Sequence, residues 1–186
     1  MTRVIAGLTV SLDGFFEDAE GSAGALYADL EQLQDSAYMK AMQAETGAVL
    51  MGRRTFDAAG DPDSYAADYE YQVPLFVLTH RAPEREPKRN ENLYFTFVTD
   101  GLESAVAQAT AAAGDRAVTV VGGADLNRQL LAAGLVDELR IDVMPVLLGS
   151  GRRLFDDVAG TRLEKLGVEE AGGRTSLSFR VVGPLS

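Results

Sequence analysis

Short apolar runs alternate with amphipathic stretches along most of this chain. The apolar runs are rich in Val, Leu and Ile and end at Gly, Asp or Thr, which is typical of buried strands. Between several of them, apolar residues recur at intervals of three and four, which indicates helices that bury one face. Strands and helices that alternate in this way predict an α/β fold with a mainly parallel central sheet flanked by helices. The pattern places strands at 4–10, 48–51, 75–79, 93–98 and 117–121, and helices at 29–45, 101–113 and 124–133.

The C-terminal part follows another pattern. Residues 139–148 predict a long strand, and the runs 163–169 and 175–182 flank Gly172-Gly173, which is a hairpin signal. We therefore expect an antiparallel hairpin at one edge of the parallel sheet.

Two segments show no period. Residues 15–25 are rich in Gly and Ala and predict a mobile loop. Residues 60–72 contain Asp, Pro and three tyrosines and predict a loop or lid.

Composition narrows the class of protein. The length of 186 residues and the hydrophobic content of 46% predict a single domain, residues 1–186, around one core. The net charge of −11 disfavours nucleic acid and anionic membranes as partners, so any anion site depends on nearby cations. The chain has no cysteine and one histidine, which excludes thiol catalysis and predicts that no metal is bound. No apolar run approaches the roughly 18 residues of a membrane span, and we expect a soluble cytoplasmic protein.

Two short turns each follow a predicted strand and open a predicted helix. Glycine at such a turn lets an anion approach the unpaired peptide N–H groups, which carry about half a positive charge. The alternatives are a solvated helix start for the first turn and a plain tight turn for the second. Together the turns predict a cradle for a ligand with several phosphates, such as a dinucleotide. The predicted cofactor-binding residues are Gly52, Arg53, Arg54 and Thr55 in the first turn and Gly122, Gly123, Ala124, Asp125 and Leu126 in the second.

A third group of polar residues ends the third predicted strand. Thr79, His80 and Arg81 lie at the carboxyl edge, where open α/β sheets bind ligands. A hydroxyl and two potential cations there could hold a 2′-phosphate, which would favour NADP over NAD. The alternative is an exposed strand end with a surface histidine.

Two aspartates are candidates for proton transfer. Asp13 precedes Gly14, so it is either a proton donor or acceptor near a substrate or an ordinary turn residue, and the turn is favoured. Asp29 begins the first predicted helix, where a carboxylate either caps the helix or delivers a proton to a bound heterocycle.

Six motifs occur in a definite order along the chain. They are Ser11-Leu12-Asp13-Gly14, Met51-Gly52-Arg53-Arg54-Thr55-Phe56, Val77-Leu78-Thr79-His80-Arg81, Val121-Gly122-Gly123, Asp137-Glu138-Leu139 and Pro145-Val146-Leu147-Leu148-Gly149-Ser150-Gly151-Arg152. In this order they resemble the reductase domain of bacterial bifunctional riboflavin-biosynthesis proteins, which belongs to the dihydrofolate reductase-like superfamily. The resemblance covers nearly the whole chain.

The resemblance implies a dihydrofolate reductase-like fold with about eight strands and an NADPH-dependent reductase. It implies that the Gly-Arg-x-Thr segment and the Gly-Gly turn hold the cofactor phosphates, and that the segment at Thr79 lies by the 2′-phosphate. Ala6 and Gly7 would lie beside the nicotinamide, and the Asp13 loop would close over the hydride-transfer site. The resemblance also implies a homodimer built on the C-terminal strands, and a free-standing form of the domain.

One position departs from the family pattern. Riboflavin-pathway reductases often carry a lysine directly after the Ser-Leu-Asp-Gly motif, whereas this chain has Phe15 followed by Phe16. Two aromatic rings thus replace a cation suited to a phosphorylated sugar, which favours a flat heterocycle as the substrate.

These observations predict an NADPH-dependent reductase that transfers hydride to a small heterocyclic or imine-like substrate, similar to a riboflavin precursor or a pterin. Asp13, Asp29 or water between them would supply the proton. The alternative is a non-catalytic protein that binds a nucleotide or small molecule on the same fold, since neither aspartate has an obvious partner in the sequence.

Overall fold

An eight-stranded sheet forms the centre of the computed structural model, which describes residues 2–156 and 158–185. Within these ranges no helix is long and apolar enough to cross a membrane. The strands are β1 (Val4–Ser11), β2 (Phe15–Glu17), β3 (Thr46–Gly52), β4 (Leu75–Leu78), β5 (Phe95–Val98), β6 (Ala117–Val121), β7 (Glu138–Met144), β8 (Arg152–Arg153), β9 (Thr161–Ala171) and β10 (Arg174–Pro184). The helices are α1 (Leu30–Gln34), α2 (Ala37–Glu45), α3 (Arg53–Asp57), α4 (Tyr65–Asp68), α5 (Leu102–Ala113) and α6 (Ala124–Ala132), with 3₁₀ turns at Gly24–Tyr27 and Pro62–Ser64.

The strands of the large sheet lie in the order β5-β4-β3-β6-β1-β7-β10-β9. Neighbouring strands from β5 to β7 are parallel, whereas β10 runs antiparallel to both β7 and β9. A separate two-stranded sheet joins β2 to β8. The predicted fold class is therefore confirmed, including the C-terminal hairpin at the sheet edge. This order brings the carboxyl ends of β4, β3 and β6 together beside β1, at the edge where such sheets bind ligands.

Both faces of the parallel strands are buried by different kinds of side chain. One face packs on α5 and α6 through residues such as Ala109, Leu126 and Leu130, each at most 4% exposed. The other face packs on aromatic rings, among them Phe56 and Tyr65, which stack with centroids 5.7 Å apart. Burial of one such large apolar side chain contributes about 1.5–3 kcal/mol, so both layers hold the strand ends in fixed positions.

The single helix predicted for residues 29–45 is wrong, because the structure has two helices there. α1 ends at Gln34, and Ser36 then adopts an extended backbone with ψ 153°. The Ser36 hydroxyl accepts a hydrogen bond from the backbone N–H of Met39 at 3.0 Å and so caps α2. The apolar spacing continued through this break and concealed it.

The two segments predicted as loops contain regular structure. Residues 15–25 include β2, and residues 60–72 include a 3₁₀ turn and α4. Tyr65 and Tyr71 are each 5% exposed and belong to the aromatic core. The segment 60–72 is therefore packed against the sheet, and none of its described residues lines the cleft below.

Candidate functional site

A cleft of about 970 Å³ opens at the carboxyl edge of the parallel strands. It brings together three turns that are distant in the sequence, as a phosphate cradle requires. The predicted residues that line it are Gly52, Arg53, Arg54, Thr55, Thr79, His80, Arg81, Gly122, Gly123, Ala124, Asp125 and Leu126. We call the part around Arg53, Arg54, His80 and Arg81 the cationic end. The binding roles of these residues stay predictions.

The two glycine turns touch each other inside the cleft. Gly122 and Gly123 have φ of 71° and 64°, a left-handed backbone that favours glycine. A Cβ atom on Gly122 would lie only 2.6 Å from Oγ1 of Thr55. Glycine at 122 therefore permits both the turn and the close approach of the first cradle segment.

Arg53 connects the first turn to the end of β4. Its Nη1 donates to the carbonyl oxygen of Arg81 at 2.9 Å, and its Nε donates to the Asp57 carboxylate at 2.9 Å. The Thr79 hydroxyl donates to the same Arg81 carbonyl at 2.9 Å. The Arg54 side chain, in contrast, is exposed and makes no hydrogen bond or ion pair within the described ranges, so its guanidinium group is free to bind a ligand.

The start of α6 presents backbone donors to the cleft, because the first N–H groups of a helix have no partner within it. Asn127, 1% exposed, supports this turn: its Nδ2 donates to the carbonyl of Gly123 at 3.1 Å and of Gly122 at 3.3 Å. Its Oδ1 is buried without a partner among the residues that the structure describes. A buried, unpaired acceptor is unfavourable unless another donor reaches it. The backbone N–H donors at the start of α6 fit a polar ligand with phosphates.

The other part of the cleft is apolar and aromatic, and we call it the aromatic end. It is lined by Leu8, Phe16, Ala23 and Tyr27. Phe15 does not line it: this ring is 8% exposed and lies under the Arg153 guanidinium, 4.2 Å from ring centroid to Cζ. Of the two rings that replace the family lysine, Phe16 is therefore the one that reaches the cleft.

Ala6 and Gly7 lie on β1 next to the cleft but do not line it. Ala6 is completely buried in the core, and a Cβ atom on Gly7 would lie 2.4 Å from the carbonyl oxygen of Arg140. The β1 residue on the cavity wall is Leu8. A position of Ala6 and Gly7 beside a nicotinamide stays a prediction.

Asp13 holds a turn and does not line the cleft. Its carboxylate accepts hydrogen bonds from the Ser11 hydroxyl at 2.6 Å and from the backbone N–H groups of Leu148 at 3.1 Å and Gly149 at 2.8 Å. The bond from Ser11 is the largest cause that lowers the pKa of Asp13, to about 2. Asp13 therefore joins the end of β1 to the segment after β7 as an ionised group.

Asp29 forms a buried ion pair with Arg174, the first residue of β10. Nε of Arg174 donates to Oδ2 of Asp29 at 3.0 Å, and the two side chains are 1% and 8% exposed. Arg174 also donates to the Thr9 hydroxyl at 3.1 Å and to the Asp142 carboxylate at 3.3 Å. The hydrogen bond from Arg174 lowers the pKa of Asp29. Asp29 makes no capping hydrogen bond with its side chain, and neither candidate aspartate carries a proton to donate near neutral pH.

Sequence reasoning missed Glu17, Tyr27 and Arg152, which line the cleft. An available signal was Gly151, whose φ is 137°. A Cβ atom there would lie 2.0 Å from the carbonyl oxygen of Glu17, so this glycine allows β8 to approach β2.

Comparison with known proteins identifies the family. The RibD C-terminal domain family matches residues 2–177. This chain belongs to that family. The uncharacterized protein YyaP of Bacillus subtilis is 30% identical over 159 residues, which cover 84% of this chain and 81% of YyaP. YwjB of the same organism, also uncharacterized, is 26% identical over 179 residues, which cover 95% of this chain and 97% of YwjB.

Solved structures share the fold of this RibD C-terminal domain protein. A Shewanella sp. PV-4 protein provisionally assigned to riboflavin biosynthesis superposes with TM-score 0.76 and 24% identity, covering 97% of this chain and 99% of that one. Dihydrofolate reductase from Enterococcus faecalis, complexed with NADP(H) and RAB-propyl, superposes with TM-score 0.59 and 14% identity, covering 97% of this chain and 96% of that one. The dihydrofolate reductase-like fold is thereby confirmed.

Proposed function

We propose that this RibD C-terminal domain protein is an NADPH-dependent reductase that transfers hydride to a small heterocyclic or imine-like substrate. The observation that carries the proposal is a single cleft with glycine turns and cations at one end and aromatic side chains at the other. A structural neighbour adds support. Rib7 of Saccharomyces cerevisiae is a riboflavin biosynthesis reductase, and it has the same fold with TM-score 0.60 and 14% identity, covering 97% of this chain and 89% of Rib7.

The cationic end supplies the groups that would hold NADPH. The free guanidinium of Arg54 and the N–H groups that begin α6 suit the two central phosphates, since charged and backbone donors both bond phosphate oxygens. His80 and Arg81 at the end of β4 suit a 2′-phosphate. Because the chain carries a net charge of −11, these local cations are needed to attract a polyanion.

A bound NADPH would supply the hydride, and this chain would supply position and a dry site. Leu8, Phe16 and Tyr27 form a wall against which a flat substrate can be held near the cofactor. Asp13 and Asp29 are ionised and engaged in other bonds, so water is the proton source that this geometry favours.

The test is a titration of the protein with NADPH and with NADH, followed by nicotinamide fluorescence. We expect a clear preference for NADPH. The Arg54→Ala variant should bind NADPH more weakly by about 1.5–3 kcal/mol, the contribution of a charged hydrogen bond. Arg116→Ala is the matched control, because Arg116 is exposed and precedes β6, at the opposite edge of the sheet. Equal affinity for NADPH and NADH, or unchanged binding by Arg54→Ala, would contradict the assignment.

A second candidate function is a binding protein without turnover. The observation that favours it is that neither Asp13 nor Asp29 lines the cleft. NADPH binding without any NADPH consumption, across flavin precursors, pterins and imines, would favour this alternative over the reductase.

We also propose that the protein is a homodimer through its C-terminal hairpin. β9 is the last strand of the sheet. Apolar side chains of β9 and β10 are exposed: Leu166 is 44% exposed, Val168 is 54% exposed and Val182 is 46% exposed. A long edge strand that exposes apolar side chains is prone to unwanted pairing unless something covers it. A second copy of the same hairpin would cover it symmetrically.

Light scattering tests this proposal. We expect twice the chain mass for the native protein and a monomer for Val168→Glu, because a buried, unpaired charge opposes association. A monomeric native protein would rule out the dimer.

A further inference from the structure

Charge is distributed unevenly along the cleft. The cationic end lies at β4 and β3, and the aromatic end lies at β1 and β2. In the strand order, β4 and β1 are three spacings apart, which is roughly 14 Å at about 4.8 Å per strand. A 2′-phosphate held at the end of β4 is therefore well separated from a ring held at the aromatic end.

Among the described residues that line the aromatic end, Arg152 is the one arginine, and carboxylates balance its charge. Nη1 of Arg152 lies 2.9 Å from Oε1 of Glu17, and Nη2 lies 3.5 Å from Oδ1 of Asp125. The Arg152 guanidinium also lies over Phe16, 5.2 Å from the ring centroid. Glu17 is the better placed partner, because its side chain is 18% exposed whereas that of Asp125 is 56% exposed. The positive charge of Arg152 is thus balanced by these carboxylates.

The neighbouring cations are also engaged. Arg153 donates to the carbonyl oxygen of Asp13 at 2.8 Å and does not line the cleft. Arg174 is buried in its pair with Asp29, and its guanidinium lies over the Tyr27 ring, 5.9 Å from the ring centroid. Asp125 also pairs with Arg128, so its charge is balanced as well. An anionic group at this end would therefore meet the Glu17–Arg152 pair and Asp125, without a free cation among the described residues that line the aromatic end.

We propose that the aromatic end binds a planar, uncharged and unphosphorylated heteroaromatic ring, and that Glu17 excludes phosphorylated rings by holding Arg152. The flat surfaces of Phe16 and Tyr27 favour stacking with such a ring. This inference rests on the proposed reductase function, since it names the substrate class of the same cleft.

The test compares riboflavin with its 5′-phosphate, FMN, which share one ring system and differ by a phosphate. Binding is measured by flavin fluorescence, with saturating NADP⁺ to fill the cationic end and again without it. We expect the native protein to favour riboflavin over FMN roughly tenfold or more, because like charges in a site oppose binding. Equal or tighter binding of FMN, or no binding of either ring, would overturn the proposal.

Variants assign the effect to Glu17. Glu17→Gln releases Arg152 and should shift the preference toward FMN by roughly tenfold. The double variant Glu17→Gln/Arg152→Gln should lose that gain, because the gain needs the freed cation. Glu164→Gln is the matched control: it breaks the exposed pair with Arg180, 2.7 Å apart on the hairpin, and should leave the preference unchanged. If the Glu17→Gln variant still prefers riboflavin over FMN as strongly as the native protein does, the proposed role of Glu17 is refuted.

The affinity for NADP⁺ alone separates this proposal from the proposed function. If the protein binds NADP⁺ but neither flavin ring, the proposed substrate class is wrong and the proposed cofactor still stands. Ring binding without NADP⁺ binding would remove the cofactor and leave the aromatic end as a site.

Discussion

Replacement of Arg174 by Met should destabilise the protein strongly. The side chain of Arg174 is 1% exposed. Its guanidinium group donates hydrogen bonds to the carboxylates of Asp29 and Asp142, the Thr9 hydroxyl and the carbonyl oxygen of Leu26. Methionine fills a similar volume but donates nothing, so two carboxylates lose their cation in a buried place. Removal of one partner from a buried ion pair costs about 3–5 kcal/mol.

Thermal and denaturant unfolding measure this effect. For a chain of this length, about 3–5 kcal/mol corresponds to a fall in Tm of roughly 6–20 °C. Arg180→Met is the matched control on the same strand: Arg180 and its partner Glu164 are each 57% exposed, and an exposed pair contributes about 0–1 kcal/mol. The double variant Asp29→Leu/Arg174→Met should recover part of the lost stability, because it removes one buried charge together with its partner.

A small loss of stability in Arg174→Met would contradict this prediction. If Arg174→Met unfolds no more readily than Arg180→Met, the buried network does not stabilise the fold. If the double variant is less stable than Arg174→Met, the unpaired Asp29 carboxylate is not the source of the loss.

Two further predictions concern the cleft and the pH dependence of stability. Gly122→Ala should abolish tight NADPH binding, because the new Cβ atom would collide with Thr55. Gly134→Ala is the control: Gly134 has a similar φ of 67° and no atom within 4 Å of the new Cβ, so this variant should keep the binding. Fluorescence titration with NADPH compares the two variants. The pKa of Asp13 is lowered to about 2, so its stabilising effect is complete above the unfolded value of 3.8 and disappears as the pH falls through 2. Asp13→Asn should therefore flatten the loss of stability between pH 4 and pH 2, measured by urea unfolding, and an unchanged slope would contradict this.

The cationic end could be predicted from the sequence because its groups are local. A strand, a glycine turn and a helix start are consecutive in the chain, and the donors are backbone N–H groups and adjacent side chains. Gly122, Gly123 and Arg54 could therefore be selected from their immediate neighbours, and the fold then brought the turns together. The parallel sheet was predictable for the same reason, since each strand and helix has its own period.

The aromatic end could not be predicted, because long-range contacts build it. Glu17 meets Arg152 only after β2 pairs with β8, and Asp29 meets Arg174 only after the hairpin joins the sheet. No local pattern distinguishes these charged residues from solvated ones. Helix capping by Asp29, one of its two predicted roles, is wrong for the same reason. The guanidinium group of Arg174, distant in the sequence, is a stronger partner for the Asp29 carboxylate than the N–H groups at the helix start.

This difference has a consequence for how such a cleft can change its substrate. The cradle depends on backbone conformation at Gly122 and Gly123, where few substitutions are tolerated. The aromatic end depends on side chains of β2, β8 and the 3₁₀ turn, whose backbones do not form the cradle. Glu17 or Phe16 can therefore be replaced while the cofactor groups stay in place. We expect Glu17→Gln to alter which ring is bound and to leave the NADP⁺ affinity close to the native value, and a matching loss of NADP⁺ affinity would show that the two ends are not independent.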